Sequence, residues 1–552
     1  MIENITLYKK LGYIATEHRT DHRQLLPVIA CTAALWTLNA FWLANDTRPP
    51  VWDMALHQMY ALNYVPGFSP AEGLRFWQLS GNYPPFVHLV IAAAFRLFHP
   101  SPHVAALANI PATFLLFWAL SELAAYFTSV AAARWACVLM LLTPYLIWMS
   151  RETILDYWLS AWVATAWVIL IRTDGFHSRG WSRLFGLVSA LGMVTKWLFA
   201  GFMAIPFLFI AMRHRIWKDE ERLVNAAQSL ILAAAISGLW YAPNLAQLIR
   251  YFGQNAQIGA LEGEPPVFSF QSLIYYLRLL EGYQFYALLF FLLVGGLAYF
   301  IWRSALRDPW LWIALVAGGW LVVTLLRTKD TRFTMPLLAP LLIIPGGWLS
   351  AWTTGSTSRF GRFGQVLVLA VLIIQAYATN FGISWLPQQV VIAQGYQGSL
   401  RWDWQLFSQH YFGILGAPRH EDWKQDEILQ RVAEEARKRG AAMSLALVPD
   451  LARFDYFNFQ LAAKLAKMPA RIEHVVSAAH GLAAFDGYDF VVMSEMDQGM
   501  PWTTKDAQSL NQLIMDRQDI FKPVSSYRLP NGNAVRLYFI DHAKREPDRA
   551  KP

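Results

Sequence analysis

The chain has 552 residues, of which 55% are hydrophobic and 15% are charged, and its mean hydropathy is +0.29. A soluble globular chain usually carries about 25% charged residues, so the composition excludes a purely soluble protein and predicts a polytopic membrane protein with a soluble part. The formal net charge of +8 does not indicate nucleic-acid binding, because Lys and Arg lie mainly in short loops between apolar runs. Cys31 and Cys137 both lie within apolar runs and predict neither a disulfide framework nor a metal site.

The N-terminal segment 1–24 is polar and basic, and an uncharged apolar run, 25–44, follows it. This run is longer than the apolar part of a cleavable signal peptide and long enough to cross a bilayer. We therefore expect a cytoplasmic N-terminal tail over residues 1–24, followed by an uncleaved first span.

Further apolar runs continue to residue 382 and predict a transmembrane domain over 25–382 with about 11 to 13 spans. Because positively charged loops face the cytoplasm, the basic loops orient these spans. The loops expected in the cytoplasm include 172–183, 213–222 and 303–308. Because successive loops alternate between the two sides of the membrane, the cytoplasmic loops predict two long external loops, 45–83 and 244–283. The run at 84–99 is the best candidate for a segment that does not cross fully, because it is short and contains Arg96.

The pattern changes after residue 382, where apolar runs shorten and alternate with amphipathic segments. Helix-like and strand-like segments of this kind predict a small extracytoplasmic α/β domain over 383–541. An Asn-Gly turn predicts a hairpin near its end. No Gly-rich phosphate loop is present, so the domain does not indicate a nucleotide site. The charged segment 542–552 is predicted to be a disordered tail.

Asp53 lies in the polar loop behind the first span, and His57 follows one helical turn later. An acid in such a loop is often only solvated, or caps a helix. A carboxylate there can also take a proton from a hydroxyl or amine nucleophile, and His57 could then orient Asp53 or an acceptor. The alternative for His57 is an ordinary surface histidine.

A second acidic pair, Glu152 and Asp156, stands at the start of a later apolar run on the same predicted side of the membrane. Their spacing predicts that both face one way on a helix. One alternative is that they simply favour a helix N-terminus through its dipole. Another is a Ca, Mn or Mg site formed by Asp53, Glu152 and Asp156.

Basic residues occur where apolar sequence makes them costly. Lys196 separates two apolar runs, and Arg327, Lys329 and Arg332 directly precede another run. Interfacial snorkelling is the preferred explanation for Arg327. For Lys196 and Arg332 we favour anion binding, since positive side chains stabilise the charge that develops on a leaving phosphate.

Together these motifs resemble the GT-C superfamily of glycosyltransferases. The residues that carry the resemblance are the first-loop acid, the Asp at the start of a later span, the Thr195–Lys196 pair and the run KDTRFTMPLLAP. The similarity covers about residues 25–382. It points to the polyprenyl-phosphate-sugar branch, which includes protein O-mannosyltransferases and the lipid A aminoarabinose transferase. The resemblance implies an inverting transfer of a sugar from a polyprenyl-phosphate donor to a glycan, lipid or protein acceptor on the extracytoplasmic face, at a bacterial inner membrane.

The resemblance also implies residue roles. Asp53 matches the first-loop catalytic acid, and Asp156 matches the second acid, which helps to place the acceptor or the base. Lys196 and Arg332 fall where the family gathers positive charge for the lipid phosphate. The predicted substrate-binding residues are His57, Glu152, Tyr83, Lys196, Lys329 and Arg332. Tyr83 stands where members such as the aminoarabinose transferase carry the Lys of a Lys-Pro-Pro sequence, so one phosphate ligand is missing or replaced, and lipid A specificity is not inferred. The branch is generally metal-independent, so neither a cofactor nor a metal is expected.

Two other functions remain open from the sequence. A metal-dependent oligosaccharyltransferase-like enzyme would share the fold, although the soluble domain contains no WWD-type triplet. A lipid or solute transporter would use the acids as ion or substrate sites. The clustering of acids on one predicted face and the lack of an internal repeat disfavour transport.

Overall fold

The computed structural model describes residues 22–67, 73–355, 359–397, 400–409 and 416–544. Most of the predicted N-terminal tail and most of the tail predicted at 542–552 therefore lie outside the described residues. Helices dominate the described chain. Their bounds in chain order are α1 His22–Ala44, α2 Trp52–Tyr64, α3 Phe86–Leu97, α4 Pro102–Leu107, α5 Ile110–Phe127, α6 Val130–Leu141, α7 Pro144–Arg151, α8 Leu155–Arg172, α9 Arg179–Met193, α10 Leu198–His214, α11 Glu220–Leu261, α12 Phe270–Leu279, α13 Tyr286–Arg303, α14 Pro309–Leu325, α15 Met335–Gly355, α16 Arg359–Phe381, α17 Gln425–Arg439, α18 Tyr456–Leu465 and α19 Pro501–Asp516.

The described residues also contain seven strands. They are β1 Gln389–Gln397, β2 Leu400–Ser408, β3 Ser444–Leu447, β4 Arg471–His474, β5 Phe490–Ser494, β6 Phe521–Arg528 and β7 Ala534–Ile540. A π-helical turn, Leu280–Gln284, separates α12 from α13, and short 3-10 helices occur at Gly73–Gln78, Ile216–Lys218, Gly481–Phe485 and His542–Lys544.

The chain forms two compact units. The first unit comprises Met1–Trp42, Ser69–Val90 and Ala106–Ala417, and the second comprises Leu43–Phe68, Ile91–Ala105 and Pro418–Pro552. This division differs from the predicted boundary at residue 382. The β1–β2 hairpin belongs with the membrane helices, because Trp404 of β2 stacks on Phe291 of α13 at 5.2 Å between ring centres. The segment that carries Asp53 groups with the C-terminal domain instead of with the membrane helices.

Six described helices are long and apolar enough to cross a membrane, or seven if the pair α6 and α7, bent by 67°, counts as one span. Shorter apolar helices are α3, α10 and α14. By length and composition the count is thus below the predicted 11 to 13, because several apolar runs fold into helices of fewer than 18 residues. The 12 residues of α3 extend only about 18 Å, less than the ~30 Å of a bilayer core. This length agrees with the expectation that 84–99 does not cross fully.

The segment predicted as the external loop 244–283 is largely helical, and its location outside the membrane stays a prediction. Helix α11 runs unbroken for 42 residues through Pro243, and α12 follows after a short connection. Hydropathy indicates where a segment leaves the apolar layer, but it does not decide where the backbone stops being helical.

Helix α8 forms the centre of the first unit. Its residues from Leu155 to Leu170 are all buried, as expected for a helix that is apolar on every side. It packs against α5, α9, α10 and α15. The first turn of this buried helix holds Asp156, so the helix fixes the position of that acid.

The second unit contains a five-stranded sheet in the order β4-β3-β5-β7-β6. Strands β4, β3 and β5 are parallel, and β7 is antiparallel to both β5 and β6. Leu445 and Leu447 pack on one face with α17 and α18, and Ala446 packs on the other face with α19. The alternation of β3 side chains thus builds a three-layer α/β domain, and the predicted fold class, a polytopic helical membrane protein with a C-terminal α/β domain, is confirmed. The Asn531–Gly532 turn joins β6 to β7, with Gly532 at φ +84°.

Candidate active site

Asp156 forms a buried ion pair at the start of α8. Its side chain is 1% exposed, and both of its carboxylate oxygens accept hydrogen bonds from Lys196 Nζ, at 2.7 and 2.9 Å. Lys196 lies in the break between α9 and α10, which explains why a lysine interrupts two apolar runs. The first turn of a helix favours a negative charge, and a buried charge needs a partner, so α8 and Lys196 together stabilise this carboxylate.

Arg332 approaches the same carboxylate from the turn before α15. Its Nε lies 3.9 Å from Asp156 Oδ2 and 2.8 Å from Asp330 Oδ2. The Lys196 ammonium also lies 4.8 Å from the centre of the Phe333 ring. Three predicted residues, Asp156, Lys196 and Arg332, are therefore brought together from sequence positions far apart. Asp330 and Phe333, which the sequence did not single out, complete the group.

Lys329 is held differently from Lys196. Its Nζ donates to the backbone carbonyls of Thr324 and Leu326, at 2.5 and 2.7 Å, and so caps the C-terminal end of α14. Burial lowers the pKa of Lys329 to about 8. The ammonium stabilises free helix carbonyls, and binding of substrate by Lys329 stays a prediction.

Two acids that sequence reasoning missed, Glu262 and Glu264, lie in the loop after α11. Glu264 Oε2 accepts the backbone N–H of Lys329 at 2.6 Å. Burial raises the pKa of Glu264 to about 7, and the negative charges of Glu262 and Asp330 add to the rise. Burial also raises the pKa of Glu262, and the positive charge of Arg332 opposes this rise. The only sequence signal was a pair of acids in a Gly-Pro-rich loop, GALEGEPP.

Glu152 and Tyr83 have structural partners. Glu152 does not share a helical face with Asp156, which corrects the prediction, because α7 ends before Glu152 and its backbone is extended there. Its carboxylate instead accepts the indole N–H of Trp148 at 2.9 Å. The Tyr251 hydroxyl, on α11, donates to the Tyr83 hydroxyl at 3.0 Å. Substrate binding by Glu152 and Tyr83 stays a prediction.

Asp53 and His57 lie one turn apart on α2, in the second unit. Asp53 is in the first turn and partly exposed, whereas His57 is buried. The preceding Trp52 donates its indole N–H to Asp450 Oδ1 at 3.1 Å. Burial raises the pKa of Asp450, and the charge of Asp53 adds to that rise while His474 opposes it. Asp53 thus belongs to an acidic environment built largely by the C-terminal domain.

In the part of the chain that the structure describes, no three His, Cys, Asp or Glu side chains are arranged to hold a metal ion.

The fold defined by these elements has counterparts among solved structures. No family model and no curated protein matches the sequence. Among solved structures, the chain is similar to ArnT from Cupriavidus metallidurans. In the apo state the TM-score is 0.55 at 14% identity, with 92% of this chain and 97% of that chain covered. With bound undecaprenyl phosphate the TM-score is 0.53 at 14% identity, over 93% and 97%.

The chain is also similar to the archaeal oligosaccharyltransferase AglB from Archaeoglobus fulgidus in complex with an inhibitory peptide and a dolichol-phosphate. The TM-score is 0.54 at 11% identity, and the alignment covers 93% of this chain and 74% of that chain. At these identities the similarity establishes the fold, and the predicted resemblance to the GT-C superfamily is confirmed at that level.

Proposed function

We propose that this protein is an inverting glycosyltransferase that moves a sugar from a polyprenyl-phosphate donor to an acceptor on the extracytoplasmic face of a bacterial inner membrane. The observation that carries the proposal is the contact of Lys196 and Arg332 with buried Asp156, within a GT-C fold. Two cations drawn from different breaks between helices form a site suited to an anionic leaving group.

In the proposed reaction, Asp53 takes the proton of the acceptor hydroxyl or amine as it attacks the anomeric carbon. The new bond forms on the face opposite the phosphate, so the configuration inverts. The bond between the anomeric carbon and the phosphate oxygen breaks, and the oxygen leaves with the electron pair. Lys196 and Arg332 then stabilise the negative charge of the released lipid phosphate.

Asp156 holds the ammonium of Lys196 in place. The Asp156–Lys196–Arg332–Asp330 group carries two formal charges of each sign, so it is neutral without substrate. A lipid phosphate would compete with Asp156 and Asp330 for the two cations. Such a site holds the phosphate firmly enough to orient it and still releases the product.

The test uses the purified protein in detergent with a panel of undecaprenyl-phosphoryl monosaccharides and a membrane extract as the source of acceptor. We expect release of undecaprenyl phosphate with at least one donor, and nuclear magnetic resonance should show an inverted anomeric configuration in the product. No release with any donor, combined with solute uptake in proteoliposomes, would favour a transporter.

The similarity to AglB favours one second candidate, an oligosaccharyltransferase-like enzyme that requires a divalent metal. The same assay separates the two by addition of EDTA. Unchanged release supports the metal-independent proposal, whereas a loss that Mn²⁺ or Mg²⁺ restores would support the second candidate.

A further inference from the structure

The second unit ties the first-loop segment to the C-terminal domain at several points. The Arg419 N–H donates to Asp46 Oδ1 at 2.9 Å, and the Thr47 N–H donates to the Arg419 carbonyl at 3.0 Å. Pro49 and Pro50 have no backbone N–H to donate, but their carbonyls accept hydrogen bonds. The Pro49 carbonyl accepts from Arg453 Nη1 at 2.5 Å, and the Pro50 carbonyl accepts from Asn458 Nδ2 at 2.6 Å. Hydrogen bonds of Asp46, Thr47, Pro49 and Pro50 therefore hold the segment that leads into α2.

Asn458 has a second role that makes it a rigid donor. It belongs to the capping box of α18, in which its backbone N–H donates to Asp455 and its side chain accepts the Asp455 N–H. Helix α18 also packs along α2. The start of α18 and the approach to α2 are thus fixed by one set of side chains.

Trp52 is the residue at which this arrangement is most constrained. Its φ is +28°, a backbone conformation that is rare for a bulky residue and persists only where the surrounding structure enforces it. Two hydrogen bonds of 3.1 Å hold it, from its backbone N–H to the Ala452 carbonyl and from its indole N–H to Asp450 Oδ1. The strained residue directly precedes Asp53, the proposed base.

Asp450 is itself rigidly placed. It follows the C-terminal end of β3, is 8% exposed, and its N–H donates to the Gln498 carbonyl at 2.9 Å. It also forms a parallel bridge with Gly499, whose backbone lies against that of Asp450 so closely that a Cβ on Gly499 would clash. Asp450 therefore offers the indole N–H of Trp52 an acceptor whose backbone is held in place.

We propose that the C-terminal domain sets the position of the catalytic base, with Trp52 and Asp450 as the positioning residues for Asp53. This inference rests on the proposed function of Asp53 and assigns the C-terminal domain a direct part in the reaction. Small displacements of a reacting group lower the rate steeply, so an enforced backbone conformation beside the base is a means of control.

The experiment compares Trp52→Phe, which keeps the ring and removes the N–H, with Asp450→Leu, which removes the acceptor. Each should lower kcat about tenfold with the donor that supports turnover in the panel, and leave the KM for that donor within about twofold. The double variant should lose no more than either single variant, because both remove one interaction. Asp450→Asn, which keeps an acceptor oxygen, should regain at least about fivefold in kcat over Asp450→Leu.

The matched control lies at the other end of α2, where Lys464 Nζ donates to Asn63 Oδ1 at 2.5 Å. Lys464→Met removes a hydrogen bond between α18 and α2, far along α2 from Asp53, and should change kcat by less than about twofold. Hydrogen exchange supplies a readout that needs no substrate. Amides at residues 52–57 should exchange faster in Asp450→Leu than in Lys464→Met, while melting temperatures stay close.

The outcomes separate the two proposals. An inactive Asp53→Asn together with full kcat in Trp52→Phe and Asp450→Leu would overturn the positioning role and leave the proposed reaction intact. An active Asp53→Asn would overturn Asp53 as the base, and the positioning role with it. Additive losses in the double variant, or a kcat loss in Lys464→Met equal to that in Trp52→Phe, would indicate general loosening of the domain and would also overturn the inference.

Discussion

The two regions that carry the predicted site residues differ in the charges that surround their acidic residues. In the first unit, Asp156 is surrounded by cations, and its group of four charges sums to zero. In the second unit, Asp53 lies among acids: burial raises the pKa of Asp450 and of Asp455, and the charge of Asp53 adds to both rises. A balanced ion group suits reversible binding of an anion, whereas a partly exposed carboxylate can act as a general base. The contrast supports a division of labour between leaving-group stabilisation and base catalysis.

The largest expected effect concerns the side of the membrane on which the second unit lies. Positively charged loops alternate toward the cytoplasm up to Arg362, and one span follows, so the second unit is expected outside. A reporter that is active only in the cytoplasm, fused after Asp541, should be silent, and a periplasmic reporter at the same site should be active. The reverse result would place both acids at the cytoplasmic face.

The next effect concerns the base. Asp53→Asn keeps the shape of the side chain but cannot take up a proton, so transfer should fall by at least about a hundredfold, a typical general-base contribution. Binding of undecaprenyl phosphate, measured in detergent, should be retained. Near wild-type turnover by a stable Asp53→Asn protein would show that Asp53 is not the base, and base catalysis could then no longer be assigned to the second unit.

The cation group of the first unit should show a smaller effect. Charge-assisted contacts contribute about 1.5–3 kcal/mol each, so Lys196→Met should slow transfer and weaken donor binding about ten- to a hundredfold. Arg327→Met is the control, since Arg327 is assigned to interfacial snorkelling and should change both quantities little. Equal effects from the two substitutions, or a silent Lys196→Met, would mean that the phosphate site lies elsewhere.

The smallest effect concerns Glu264 and stability. Burial raises the pKa of Glu264 from 4.5 to about 7. The folded protein therefore holds a proton that the unfolded chain has released between these pH values, and the free energy of unfolding should fall as the pH rises from about 4.5 to about 7. After allowance for partial exposure the effect is about 1–2 kcal/mol, or about 1–3 °C in melting temperature.

Glu264→Gln keeps the oxygen that accepts the Lys329 N–H and should flatten this pH dependence. Glu221→Gln, at an exposed site in the first turn of α11, is the matched control. Melting curves in detergent between pH 5 and pH 8 make the measurement. Parallel curves for the native protein and Glu264→Gln would show that Glu264 does not titrate in this range.

Hydropathy and charge patterning by themselves determined the membrane class, the alternation of the C-terminal α/β segments and the Asn-Gly hairpin. These features depend on local periodicity and on turn chemistry, which the sequence carries directly. Lys196 could be singled out for a similar reason, since a lysine between apolar runs needs a partner wherever the chain folds. The identity of that partner, Asp156, could not be read from sequence spacing.

Only the tertiary structure decided which polar groups meet. The break after α7 separates Glu152 from Asp156 although the two are close in sequence, and the long α11 carries Glu264 to the Lys329 turn. Asp450, distant in sequence, fixes Trp52 beside Asp53, a contact that no local pattern encodes. The physical reason is that hydrogen bonds and ion pairs depend on distances of about 3 Å, which are set by helix breaks and packing between elements far apart in the chain.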